Sequence, residues 1–282
     1  MTAHETSPPR PSDGSTAPPA AALSGLLAAD RPLTWVIAGD SVAQGARWTA
    51  GERDYAQHLE ERVRYELARY ADAFTRTAVS GWRTGDVAGT LDRVTRPGPD
   101  IVSLGIGLND TKLGPAHLAD FDRGLRDVVA RLRSAGALVL LHLPNPVRPQ
   151  APPELIGPLP EYVAAMRAVG RDTGCVVVDH YTPWTGAGDG WAPAAWMGDP
   201  THPNGRGHKV MAGTLLRTLG LWDDASECCA LAVAAGLPDG PGGPDSPGGS
   251  DGPGGSNGPG GSDGPGDSGG PSAAEGSGAP TA

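Results

Sequence analysis

The stretch "WVIAGDSVAQGA", residues 35–46, is an apolar run that stops at Gly39-Asp40-Ser41. Gly, Asp and Ser are ordinary turn formers, so in isolation the stop reads as a turn, with Ser41 as a helix N-cap. Its meaning depends on the other apolar runs. Counting outward, these are Leu33–Ala38, Phe74–Val79, Ile101–Gly105, Ala137–Leu143 and Cys175–Asp179. Val139-Leu140-Leu141 and Val176-Val177-Val178 are continuous, not alternating, as in strands buried on both faces. Helical patterns lie between them. Tyr55–Tyr70 places Leu59, Val63 and Leu67 at four-residue steps, and Phe121–Leu132 spaces its apolar residues likewise. Tyr162–Val169 and Val210–Leu219 complete the set. Strands alternating with helices predict an α/β fold: a five-stranded parallel sheet covered on both faces, with right-handed crossovers. Ligands of such sheets sit outside the strands' carboxyl ends. Ser41 is expected on that rim.

The ends of the chain differ from its middle. Residues 1–30 are mostly Ala, Pro, Ser and Thr, and residues 223–282 are dominated by Gly, Pro, Ser and acids. Neither offers the apolar surface that offsets the entropy of ordering, so both are expected to be disordered around one domain at 31–222. The net charge of −10 belongs to the tail, because residues 223–282 carry nine acids and no Lys or Arg, leaving −1 for the remainder. A nearly neutral core with an acidic tail gives no reason to expect a nucleic-acid partner. The three cysteines, Cys175, Cys228 and Cys229, do not form a disulfide framework. Cys175 reads as a small core residue, and the vicinal pair as either packing or a free redox site. "AAALSGLLAA", residues 20–29, is too short to span a bilayer and lacks the flanks of a secretory signal, so a cytoplasmic location is the expectation.

Three further loops should share the rim with Ser41: "SGWRTGDV" at 80–87, "LGIGLNDTKLG" at 104–114 and "WMGDPTHPNGRGH" at 196–208. Together they supply a hydroxyl, glycine turns with backbone amides, an Asn side chain, and an Asp and a His three residues apart. An acyl-transfer site needs a nucleophile, a base, an orienter for the base and donors for the oxyanion. "GDSVAQG", the glycine turn ending at Gly85, "GLND" and "DPTH" resemble, in order and spacing, the blocks of the SGNH hydrolases, or GDSL esterase/lipase family. The resemblance covers about Leu33 to Leu221. It implies a flavodoxin-like three-layer α/β/α sandwich and ester or thioester hydrolysis without a metal or cofactor.

Carried over block by block, the resemblance makes Ser41 the nucleophile and its backbone N–H one oxyanion donor. The Gly85 amide and the Asn109 side chain would be the other donors, His202 the base and Asp199 its partner. Ser80 departs from the family pattern, which often has Asn a few residues before that glycine. The expected partner is a small-molecule ester. Alternatives are an acyltransferase or deacetylase acting on a sugar or small alcohol, and a non-catalytic ligand-binding module. A Zn²⁺ site from Asp199, His202 and His208 would fit the ligand types but leave Ser41 and Asn109 without a role. An α/β-hydrolase elbow is disfavoured, because "GDSVA" ends in Ala43 and Asp and His are nearly adjacent. Asp40, His142 and His180 are expected to be structural. Trp48, Trp184, Trp191 and Trp196 are expected either to wall a pocket or to anchor loops.

Overall fold

The computed structural model of the chain describes residues 19–45 and 47–230. Five parallel strands, β1 (Thr34–Gly39), β2 (Ala73–Arg76), β3 (Ile101–Gly105), β4 (Leu138–Leu143) and β5 (Val176–Asp179), form one sheet in the order β2-β1-β3-β4-β5. This is the flavodoxin-like order, with the switch point between β1 and β3. Each strand lies within a few residues of an apolar run in the sequence; β2 ends earlier than expected, at Arg76.

Alternation along the strands divides the interior into two cores. Val36, Ala38, Val102, Leu104, Val139 and Leu141 face one side, with Leu125 and Val129 of α6 (Leu118–Ser134) and Val163 and Met166 of α8 (Leu159–Thr173). Trp35, Ile37, Ile101, Leu140, Val176 and Val178 face the other, with Leu59 of α3 (Tyr55–Glu61) and Leu215 of α10 (Gly205–Thr218). The three layers follow from that two-residue period.

The long helix expected over Tyr55–Tyr70 is interrupted. After α3 the backbone widens into a π-helical turn, Arg62–Glu66, with Leu67 N–H donating to the Arg62 carbonyl. A buried cation sits in that turn: Arg62 donates through Nε to the Leu221 carbonyl and pairs with Glu66 at 2.8 Å. Ala68 then turns the chain with φ 55°.

Both edges of the expected domain extend further. Residues Pro19–Ala28 form a helix, α1, whose Leu23 is buried with Leu33 and Leu140. Arg69 holds its end, donating to the carbonyls of Leu27, Ala29 and Arg31. One buried leucine and a guanidinium fork thus order a segment whose composition alone predicts disorder. Beyond Trp222, Glu66 accepts from Ser226 Oγ and Cys228 N, and all three cysteines are buried free thiols. The expectations for 1–18 and 231–282 fall outside the described residues.

Candidate active site

The stop at Gly39-Asp40-Ser41 has a steric cause. Gly39 adopts φ +136°, and a methyl there would overlap the Gly105 carbonyl, which also accepts the Asp40 N–H at 3.0 Å. The close approach of β1 to β3 therefore requires glycine at position 39. Asp40 then caps a one-turn helix, α2 (Ser41–Gln44), its carboxylate accepting from Val42 N at 3.0 Å. Ser41 is the first residue of that turn. Its N–H takes part in none of the described hydrogen bonds, as is normal for a first-turn amide.

The loop before α10 brings the imidazole to the hydroxyl. Ser41 Oγ lies 3.0 Å from His202 Nε2, and His202 Nδ1 lies 2.9 Å from Asp199 Oδ2. An ionised carboxylate only accepts, so Nδ1 carries the proton and Nε2 is left as the acceptor facing Ser41. Asp199 also accepts from the backbone N–H groups of Thr201 and His202, each at 2.7 Å. Burial pushes Asp199 up, but those hydrogen bonds outweigh it and hold the carboxyl below its usual range. Burial pushes His202 down, against the opposing pull of Asp199, so its pKa lies below the ordinary imidazole value.

Neighbouring elements clamp this loop. Met197 pairs with Pro203 in an antiparallel bridge, and Gly198 N–H donates to the His202 carbonyl at 2.9 Å. From the segment after β4, Asn145 Nδ2 donates to Thr201 O at 3.2 Å and Arg148 N–H to Pro200 O at 2.8 Å. Trp48 lies flat on His202, with ring centroids 3.5 Å apart and planes 7° from parallel.

Asn109 is poised beside α4 (Thr84–Gly89). Its Oδ1 accepts from Lys112 Nζ at 2.9 Å and its Nδ2 donates to Trp82 O at 3.2 Å. The lysine fixes which end of the amide is which, leaving a second Nδ2 hydrogen to donate. The next residue, Asp110, is buried and accepts from Thr84 N at 3.1 Å.

The two glycines near Asn109, Gly81 and Gly85, differ in their surroundings. Trp82 N–H donates to Val79 O, closing a turn in which Gly81 has φ +83°. Ser80, just before it, donates through N and Oγ to Gln44 Oε1 of α2. Trp82, just after it, is bonded to Asn109. Gly81 is thus held between α2 and Asn109. Gly85, the expected donor, stands four residues on, inside α4, next to a Thr84 amide committed to Asp110.

The remaining candidates occupy ordinary structural places. Asp40 is buried, and burial lifts its carboxyl to about 7. His142 and His180 are buried and bonded to one another, Nδ1 to Nε2, at 2.9 Å. His208 is buried, with Nδ1 accepting from Tyr55 N at 3.4 Å, and among the described residues no group of His, Cys, Asp and Glu could hold a metal ion. Trp184 and Trp196 pack edge to face in the core, while Trp191 is exposed. Trp48 was legible as a rim tryptophan, but its stacking on His202 and the contacts of Lys112, Asn145 and Arg148 were not, because nothing in their spacing marks a contact across the fold.

The fold and rim define an α/β/α protein that presents a hydroxyl, an imidazole and a carboxylate in series at the carboxyl ends of its strands. The profile of the GDSL-like lipase/acylhydrolase family matches residues 37–210, and the chain belongs to that family of hydrolases. No curated protein matches it. Among solved structures, LAE5, an α/β hydrolase enzyme from the metagenome of Lake Arreo, is 24% identical with a TM-score of 0.57, over 67% of this chain and 95% of that one. A variant of Axe2, an acetyl-xylooligosaccharide esterase from Geobacillus stearothermophilus, is 20% identical with a TM-score of 0.58, over 67% of this chain and 94% of that one. The variants of Axe2 described as catalytic mutants replace a serine, an aspartate and a histidine, the last two three positions apart. Among the described residues no helix is long and apolar enough to cross a membrane.

Proposed function

We propose that the protein is a serine esterase that hydrolyses a carboxylic ester of a small molecule through an acyl-enzyme. The observation that carries this reading is the unbroken series from Ser41 Oγ through His202 to Asp199, with contacts of 3.0 and 2.9 Å. As Ser41 Oγ bonds to the ester carbonyl carbon, its proton passes to His202 Nε2 and the carbonyl π electrons move onto oxygen. Collapse of that tetrahedral species breaks the carbon–alkoxide bond, and the imidazolium returns the proton to the departing alcohol. Water repeats the sequence on the acyl-enzyme, releasing the acid and restoring Ser41. Asp199 stays ionised, holding the tautomer and the developing imidazolium.

The oxyanion would receive the Ser41 N–H and the Asn109 side-chain amide. We assign the remaining backbone donor to Gly81 in place of Gly85, because both neighbours of Gly81 are tied to the other two donors' elements. The identity of Axe2 favours an acetyl ester of a sugar as the substrate to try first, with transfer to an acceptor alcohol in place of water as the competing outcome. The test is turnover of p-nitrophenyl acetate. Ser41→Ala, folded by circular dichroism, is expected to lose essentially all turnover; substantial residual activity would overturn the assignment. Acetylated xylo-oligosaccharides and an acyl-length series then define the substrate.

A further inference from the structure

The stacking of Trp48 on the imidazole has a chemical asymmetry. The edge of His202 is committed to Ser41 and Asp199, so only its faces remain, and Trp48 covers one of them at 3.5 Å and 7°. Two neutral rings disfavour a near-parallel sandwich, because their negative faces oppose each other. A cationic ring reverses that sign, since the negative face of an indole attracts positive charge. The contact is therefore more favourable after His202 has taken the serine proton than before. An interaction stronger in the transition state than in the ground state lowers the barrier.

The seat of Trp48 is built for this contact. Gly198, immediately before Asp199, faces the Trp48 main chain; a Cβ there would lie 2.9 Å from the Trp48 carbonyl oxygen and 3.1 Å from its Cβ. The bare glycine lets the loop that follows α2 reach the loop that holds Asp199 and His202. The Arg47 guanidinium lies 5.8 Å from the indole centroid. It and Lys112 are cations facing His202, and both oppose its protonation, whereas Asp199 favours it. Trp48 supplies attraction for the imidazolium without a further full charge.

We propose that Trp48 is a positioning residue of the reaction, holding the plane of His202 and stabilising its imidazolium form; this rests on the serine-esterase reading. The experiment compares Trp48→Leu and Trp48→Phe with the unaltered chain, using p-nitrophenyl acetate across pH 4–9. Leucine keeps an apolar cover but has no π face. Trp48→Leu is expected to lower kcat about 3- to 30-fold with a smaller change in KM, and to move the acid limb of kcat/KM to lower pH. Trp48→Phe, which keeps a π face, is expected to recover most of both.

An acid limb that moves to higher pH in Trp48→Leu would mean that the indole only excludes water, and would overturn the proposal. So would a change confined to KM, or a folded Trp48→Phe as impaired as Trp48→Leu. If Trp48→Leu does not fold, Trp48→Phe and Trp48→Tyr carry the test, and a folded variant of either with kcat lowered more than about 30-fold contradicts it. Failure of the underlying reading looks different: the unaltered chain would neither turn over the ester nor react with a fluorophosphonate at Ser41.

Discussion

Asn109 offers its amide to two partners at once, Lys112 on oxygen and Trp82 on nitrogen, and the spare nitrogen-bound hydrogen is the one assigned to the oxyanion. Asn109→Ala is expected to lower kcat about 10²–10³-fold with little change in KM, as for loss of one oxyanion donor. A loss confined to KM contradicts the role. Gly85→Pro separates the two glycines, because alanine would keep the backbone N–H and proline has none. Position 85 lies in the first turn of α4, where proline is best tolerated, and a Cβ there meets nothing within 4 Å. The folded variant should keep kcat within about 3-fold if the donor is Gly81; a loss of the size set by one donor returns the role to Gly85. Because burial holds His202 below the ordinary imidazole value, the acid limb of kcat/KM should fall below about pH 6.5. Measured pH profiles test this. Ser41, Asn109, Asp199 and His202 were legible as rim candidates because each stands at the end of an apolar run or in a loop that the alternation of strands and helices sends to one rim. Trp48 was legible as a rim tryptophan but not as the ring that covers His202, and Lys112 was not legible at all, since an aromatic or a cation in a loop carries no periodicity to say which group it meets.

At the level of elements, α2 is a single turn, too short to be stable by itself. Its geometry comes from Gly39 packed on Gly105 and from the Asp40 cap. That cap has a cost that varies with pH. Burial raises the Asp40 carboxyl to about 7 in the folded chain, against about 3.8 when free, so the folded state holds the proton more tightly. Stability from this group is then present at low pH and is lost as pH rises through that window. Asp40→Asn, which keeps an acceptor for Val42 N–H, should gain Tm relative to the unaltered chain as pH goes from 4 to 8. A difference that stays constant or shrinks across this range contradicts the buried-carboxyl account. Four strands were legible almost to their ends, because they are apolar runs buried in the sheet, whereas β2, a partly exposed edge strand, ends at Arg76 and not at the expected Val79. The π turn at Arg62–Glu66 and helix α1 were not, because the contacts that accompany them are long-range: Arg62 with the Leu221 carbonyl, and Leu23 in the core with Arg69 on the carbonyls that follow α1. Periodicity read a continuous helix in the first case, and composition read disorder in the second.

At the scale of the whole molecule, four histidines are buried among the described residues: His58, His142, His180 and His208. Burial lowers His58 and His208 to about 4 and His180 to about 3, and places His142 well below its ordinary value. The unfolded chain takes up these protons near pH 6.5 and the folded chain does not, so their stability contribution is lost as pH falls from about 6.5 toward 4. Asp40 and Asp110, raised to about 7 and about 6, act in the opposite sense. The four histidines outnumber the two carboxyls, so the net dependence between pH 7 and pH 5 keeps the sign set by the histidines. Denaturant unfolding at pH 7 and pH 5 should show lower stability at pH 5; equal or higher stability refutes the sign. All of the chemistry depends on distant loops meeting at one rim, with an imidazole set to take the proton of a serine. The most direct measurement is the intact mass of the protein after exposure to a fluorophosphonate. The account predicts a single adduct on the unaltered chain, carried by Ser41, none on Ser41→Ala, and much slower labelling of His202→Asn. Equal labelling of Ser41→Ala, or a folded chain that takes no adduct, would contradict it.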